Sequence, residues 1–107
     1  MQDADFIQVF MTTDKREDAE NISRAVVEKR LAACAQLLGP IRSTYWWEDK
    51  VEASDEWLCI MKSRSDLFEK LEKAIRDMHP YDVPEIVALP IVTGNRAYLE
   101  WLNKETL

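Results

Sequence analysis

The sequence predicts an α+β sandwich with elements in the order β-α-β-β-α-β and a short helix at the C-terminus. Three observations predict it. Short β-branched and aromatic runs with period-two alternation stand beside two longer stretches whose apolar residues recur at helical spacing. Gly39-Pro40, Pro80, Pro90 and Gly94 fall at bends and joints between or within these runs. The length of 107 residues, 47% apolar and 32% charged, suits one domain spanning residues 1–107 and leaves no room for a second core.

The first strand is read at Phe6 to Thr12, where Ile7, Val9 and Met11 alternate with Phe6, Gln8 and Phe10 and both faces are mostly apolar. Asp14 followed by Glu17 has the spacing of a capping box, and Ala19, Ile22, Ala25 or Val26, and Ala33 continue at helical spacing. A helix is therefore expected from Lys15 to about Leu31. Ala33 to Trp47 is long for one strand and contains Gly39-Pro40, so it reads as a strand with a bend or bulge. Glu48-Asp49-Lys50 makes a tight turn into a third strand, Val51 to Ser63. Pairing about that turn brings Cys59 near Gly39 and away from Cys34, so no disulfide is expected between the two cysteines.

Ser63 with Asp66 suggests a second capping box, opening a helix whose apolar stripe is Leu67 or Phe68, Leu71, Ala74 or Ile75, and Met78. Pro80 stops it, because the residue before proline is pushed out of the helical region. Ile86 to Val92 is a nearly continuous apolar run and reads as a fourth strand, in which Pro90 implies a sheet edge or a bulge. Gly94-Asn95 then starts a helix carrying Tyr98, Leu99, Trp101 and Leu102. This order is the split-βαβ, ferredoxin-like plan. Both long helices cover one face of the sheet, yet three of the strands carry apolar residues on both faces. The second face needs a cover, and at this chain length a second copy of the chain supplies it, so a cyclic homo-oligomer is expected.

Charge and composition narrow the function. Fourteen Lys and Arg against twenty Asp and Glu give a net charge of −6, with basic residues only in small groups such as Lys15-Arg16 and Lys29-Arg30, which argues against nucleic-acid binding. No run approaches the roughly 18 apolar residues that span a bilayer, and the start Met1-Gln-Asp-Ala-Asp-Phe is acidic where a signal peptide is basic and then apolar. A cytoplasmic protein with no membrane partner is expected. Two cysteines are too few for a disulfide scaffold or a four-ligand zinc site, and two glycines cannot build a phosphate loop. One histidine with no serine or cysteine beside it in a recognisable arrangement offers no catalytic triad, so no enzyme activity is expected. The segment Met11-Thr-Thr-Asp-Lys15 has neither glycine nor arginine, which disfavours an acyl-phosphate hydrolase of the same fold.

Four motifs carry a family resemblance: Val27-Glu-Lys-Arg-Leu-Ala-Ala-Cys34, Tyr45-Trp-Trp-Glu-Asp-Lys50, His79-Pro-Tyr-Asp-Val-Pro-Glu-Ile86 followed by Ala88-Leu-Pro-Ile91, and Tyr98-Leu-Glu-Trp101. Together, over about Val9 to Trp101, they resemble the CutA family of divalent-cation tolerance proteins. The resemblance implies a ferredoxin-like protomer in a compact homotrimer, similar in architecture to the PII signalling proteins. It also implies a non-enzymatic role in metal-ion tolerance, with copper or another divalent cation as an optional ligand and no required cofactor. Animal relatives are linked to anchoring of an esterase at membranes. Copper-binding members carry a cysteine at the end of the first strand and a histidine pair before Pro-Tyr. The matching positions here are Met11, Met78 and His79. Two thioethers and one imidazole lack an anionic ligand and favour Cu(I) over Cu(II).

The resemblance also implies a cleft between subunits, at the hairpin tip and the His-Pro-Tyr segment. Its candidate lining is Trp47, Glu48, Lys50, Glu56, Lys62, Tyr81 and Glu85, beside His79. Cations and carboxylates between aromatic walls suit a small polar ligand. A regulatory or scaffolding trimer that binds a small molecule or a partner protein in that cleft is the alternative function.

Overall fold

Alternation along β1 (Phe6–Thr13) sends Ile7, Val9 and Met11 to one side of a sheet, where all three are buried. The computed structural model describes residues 5–107; residues 1–4 of the acidic N-terminal stretch lie outside the described residues. β1 pairs with β3 (Lys50–Arg64) and β4 (Ile86–Pro90), and β2 (Cys34–Trp47) closes the far side in the order β2-β3-β1-β4, every pair antiparallel. The two crossover helices, α1 (Arg16–Glu28) and α2 (Phe68–Met78), lie on the Ile7 side. Ile22 and Val26 of α1 and Leu71 and Ile75 of α2 pack there with Val9, Met11, Cys59 and Met61. Each such aliphatic side chain contributes on the order of 2 kcal/mol by leaving water.

On the opposite face the register sets up rows across the sheet. One row is Leu89, Gln8, Lys62, Cys34; the next is Val87, Phe10, Ile60, Gln36; the third is Thr12, Leu58, Leu38. Leu38, Val87 and Leu89 are about half exposed. The C-terminal helix α3 (Arg96–Lys104) covers only one end of this face: its Tyr98 hydroxyl lies 3.6 Å from Cys34 Sγ, and Arg64 donates to Thr106 just beyond it. Asn95 caps α3 by accepting from the Tyr98 amide at 3.2 Å, as the Gly94-Asn95 start predicts.

β2 and β3 outrun the sheet. Beyond Thr13 they pair only with each other, from Ile41↔Glu56 to Trp47↔Lys50, so the hairpin projects about 20 Å. Its tip exposes Trp46, Trp47 and Val51. The expected bend falls between Leu38 and Ile41, where a bulge accompanies a cis Gly39-Pro40 peptide. Cys59 pairs with Leu37, two residues from Gly39, and both cysteines are free.

Several local expectations need correction. Neither capping box forms. α1 starts after Lys15, which supplies no side-chain cap, and the Thr13 hydroxyl bonds the Lys15 carbonyl. Ser63 is not a cap but a fully buried β3 residue that donates to the Leu31 carbonyl, and Asp66 pairs with Arg64. A 3-10 turn, Ser65–Leu67, precedes α2 instead. α1 ends at Glu28 and not near Leu31, because Arg30 takes a left-handed conformation (φ 59°) and the Leu31 amide folds back onto the Val26 carbonyl. β4 stops at Pro90 and not Val92; it is an edge strand, where a residue without an N–H is tolerated. Met78, expected on the buried stripe of α2, is exposed.

The turn consists of Glu48 (φ 47°) and Asp49 (φ 64°), with Trp47 pairing with Lys50 across them. Both sit in the left-handed region of a type I′ turn, where a side chain costs about 1 kcal/mol that glycine avoids. Asp49→Gly is therefore expected to stabilise the protein by up to about 1 kcal/mol. A fall in melting temperature on that substitution would contradict this turn geometry.

Candidate functional site

The site forms where β1 ends and β3 runs on. Pro80 holds His79 in an extended conformation (φ −76°, ψ 135°) directly after its amide has made the last helical bond, to the Ile75 carbonyl at 2.9 Å. Leu71, Ile75 and His79 are four residues apart, so the imidazole continues the buried stripe of α2, and it is 8% exposed. Nε2 lies 2.7 Å from the Thr12 carbonyl oxygen, and the Tyr81 amide donates to Nδ1 at 3.1 Å. A carbonyl only accepts and an amide N–H only donates, so the ring is the neutral tautomer with its proton on Nε2.

Tyr81 stands edge-on to the imidazole, with ring centroids 4.7 Å apart, and its hydroxyl donates to Glu56 Oε2 at 2.9 Å. Glu56, 8% exposed, stands one residue before Trp57, the β3 partner of Thr13 in the last β1 pairing. Burial, then the Glu56 bond and charge, push the Tyr81 phenol far above its usual range. Thr12, His79, Tyr81 and Glu56 thus make one connected set linking the start of the loop after α2 to the sheet. A similar effect acts at the other end of the open face, where burial and then the Cys34 bond raise Tyr98 to about 12. Burial also raises the Cys59 thiol, which leaves it a packing group bonded to the Ser23 hydroxyl.

Of the expected cleft residues the chain brings Glu56 and Tyr81 together, beside His79. Trp47, Glu48 and Lys50 lie at the exposed hairpin tip, about 20 Å along the strands from Glu56. Lys62 lies elsewhere on the open face, donating to Gln36 Oε1 at 2.9 Å, and Glu85 is exposed just before β4. Two contacts escaped the sequence reading: the Thr12 carbonyl, a backbone atom with no residue signature, and the Tyr98–Cys34 pair, which needs α3 folded over the sheet.

The expected metal set is dispersed in character. Met11 is fully buried in the helix-side core, Met78 is exposed at the end of α2, and His79 has both ring nitrogens bonded to backbone. An imidazole N–H on a carbonyl is the usual support of a metal-bound histidine, but the other nitrogen must then be free, and here it holds an amide. Among the described residues no three His, Cys, Asp or Glu side chains converge to hold a metal ion. The residues present do not fit a metal centre at His79.

Sheet, crossovers and open face define a ferredoxin-like α+β protein. Within that class, the sequence model of the CutA1 divalent ion tolerance protein matches residues 7–105, and the chain belongs to that family. It is 44% identical over 98 residues to the divalent-cation tolerance protein CutA of Thermus thermophilus, covering 92% of this chain and 95% of that one. It is 41% identical over 100 residues to the chloroplastic CutA 1 protein of rice, covering 94% of this chain but spanning just over half, 56%, of that protein. A solved structure of the Thermus thermophilus protein superimposes with a TM-score of 0.93 at 42% identity, covering 95% of this chain and 99% of that one. Among the described residues no helix is long and apolar enough to cross a membrane.

Proposed function

We propose that the chain serves metal-ion tolerance as a cytoplasmic, non-enzymatic homotrimer that binds a small polar ligand or a partner protein in clefts between its subunits. The observation that carries this reading is the open sheet face. Val87, Leu89 and Leu38 stand half exposed in rows with Phe10, Ile60 and Leu58, on the face opposite α1 and α2. An apolar lattice of this kind favours burial against another copy, and a closed ring leaves none of it over. The hairpin tip supports the same reading. One chain keeps Trp47, Glu48 and Lys50 well away from Glu56 and Tyr81, so a cleft lined by both groups takes them from different copies.

A second reading, a copper ion held by His79 with Met11 and Met78, has in its favour the relatives' name, divalent-cation tolerance protein. The bonds of the His79 ring weigh against it. Relatives named chloroplastic and periplasmic show that the family works in more than one compartment, so the cytoplasmic location belongs to the proposal. Light scattering on the purified protein is expected to give three times the 12.5 kDa chain mass. Thermal shift against copper, zinc and a metabolite panel is expected to show stabilisation by a polar metabolite. A monomer at micromolar concentration overturns the proposal, and stabilisation by copper alone favours the second reading.

A further inference from the structure

We infer that His79 is an internal latch that positions Tyr81 against Glu56, and that its imidazole is closed to metal ions in the native protein. The position where the family resemblance implies a metal ligand has been given to a different task in this chain.

Three observations carry this. The two ring nitrogens meet partners of opposite kind, a carbonyl at Nε2 and an amide at Nδ1, which fixes one tautomer and leaves no free lone pair on nitrogen. The ring is buried at the end of the α2 stripe, with the Tyr81 ring against it, so an ion has no open approach. The other two residues of the expected set face different surroundings: Met11 lies within the core and Met78 is 41% exposed at the end of α2. A metal at Nδ1 would displace the Tyr81 amide and release the residue whose hydroxyl is anchored on Glu56. Any ligand that bound this way would have to offset the loss of that loop, which reduces its apparent affinity.

The test separates latch from ligand by choosing side chains that keep one role and lose the other. His79→Asn places Oδ1 where Nδ1 now accepts the amide two residues on, as in an Asx turn, but carries no imidazole. His79→Ala keeps neither. Nitrogen-15 NMR of the wild-type protein is expected to show the Nε2–H tautomer, unchanged on adding one equivalent of Zn(II) or, under reducing anaerobic conditions, Cu(I). The Tyr81 amide is expected to exchange at least tenfold faster in His79→Ala and to regain most of its protection in His79→Asn. Metal affinity, measured against a competing chelator, should differ less than twofold among the three proteins; absence of measurable binding in all three supports the latch equally. A shift of the ring nitrogens at one equivalent of metal, or a tenfold loss of affinity in both variants, overturns the inference. So does Tyr81 exchange that is unaltered in His79→Ala. Should the alanine variant fail to fold, the wild-type ring spectrum with and without metal decides alone.

Discussion

Replacing Gly39 by alanine is expected to destabilise the protein by about 2–3 kcal/mol, the cost of forcing atoms into a filled space. A Cβ at residue 39 would stand 2.6 Å from Trp57 Cε3, 2.8 Å from Trp57 Cδ2 and 3.2 Å from the Glu56 carbonyl oxygen. The indole cannot simply step aside: the Arg16 guanidinium lies over it at 5.3 Å from the ring centroid, and Trp57 sits in β3 opposite Thr13, which is fully buried. A melting temperature lower by on the order of 10 °C is the expected readout. The cause can be isolated in a double-mutant cycle with Trp57→Leu, which removes the clashing ring. Gly39→Ala should cost distinctly less in that background. An equal cost in both would show that the glycine is needed for something other than room for the indole.

The second large effect concerns assembly. Val87→Asp puts a carboxylate on the β4 edge of the open face, in the row with Phe10 and Ile60. In an isolated chain this half-exposed site tolerates a charge, and the expected change in stability is within about 0.5 kcal/mol. In the proposed trimer the same carboxylate is buried among apolar side chains, where an unpaired charge costs several kcal/mol for each copy. Light scattering should then report the single-chain mass, with circular dichroism still showing a folded protein. An assembly of unchanged mass would mean that the copies meet elsewhere.

The order of elements was legible because periodicity and punctuation agree. Pro80 ends α2, Asn95 caps α3, and Pro90 lies on an edge strand, each for the reason its chemistry suggests. What failed was local. Asp14 and Ser63 match a capping pattern that any short polar residue before an acid can satisfy, yet Ser63 belongs to a strand and spends its hydroxyl on a loop carbonyl. Met78 and His79 show the limit of apolarity as a guide. Spacing of four from Leu71 through Ile75 turns the histidine inward and the more apolar methionine outward.

The site was half legible. Glu56 and Tyr81 were both expected in it, but their bond joins residues 25 apart in sequence through the end of β1, and no local pattern encodes that. The carbonyl of Thr12 was invisible for a simpler reason: every residue has one. The meeting of hairpin tip and cleft was not legible in one chain at all, since on the proposed reading it takes two.

The central place of β1 has a consequence for how the protein is made. β1 lies between β3 and β4, both later in sequence, so Phe10 waits for Ile60 on one side and for Val87 on the other. The clasp of Arg30 on Glu105 spans 75 residues. Almost the whole chain must therefore be synthesised before the sheet can close, and in the meantime β1 is an unpaired apolar strand. Such non-local pairing makes folding slow and leaves β1, until its partners are made, as the segment most open to misassociation.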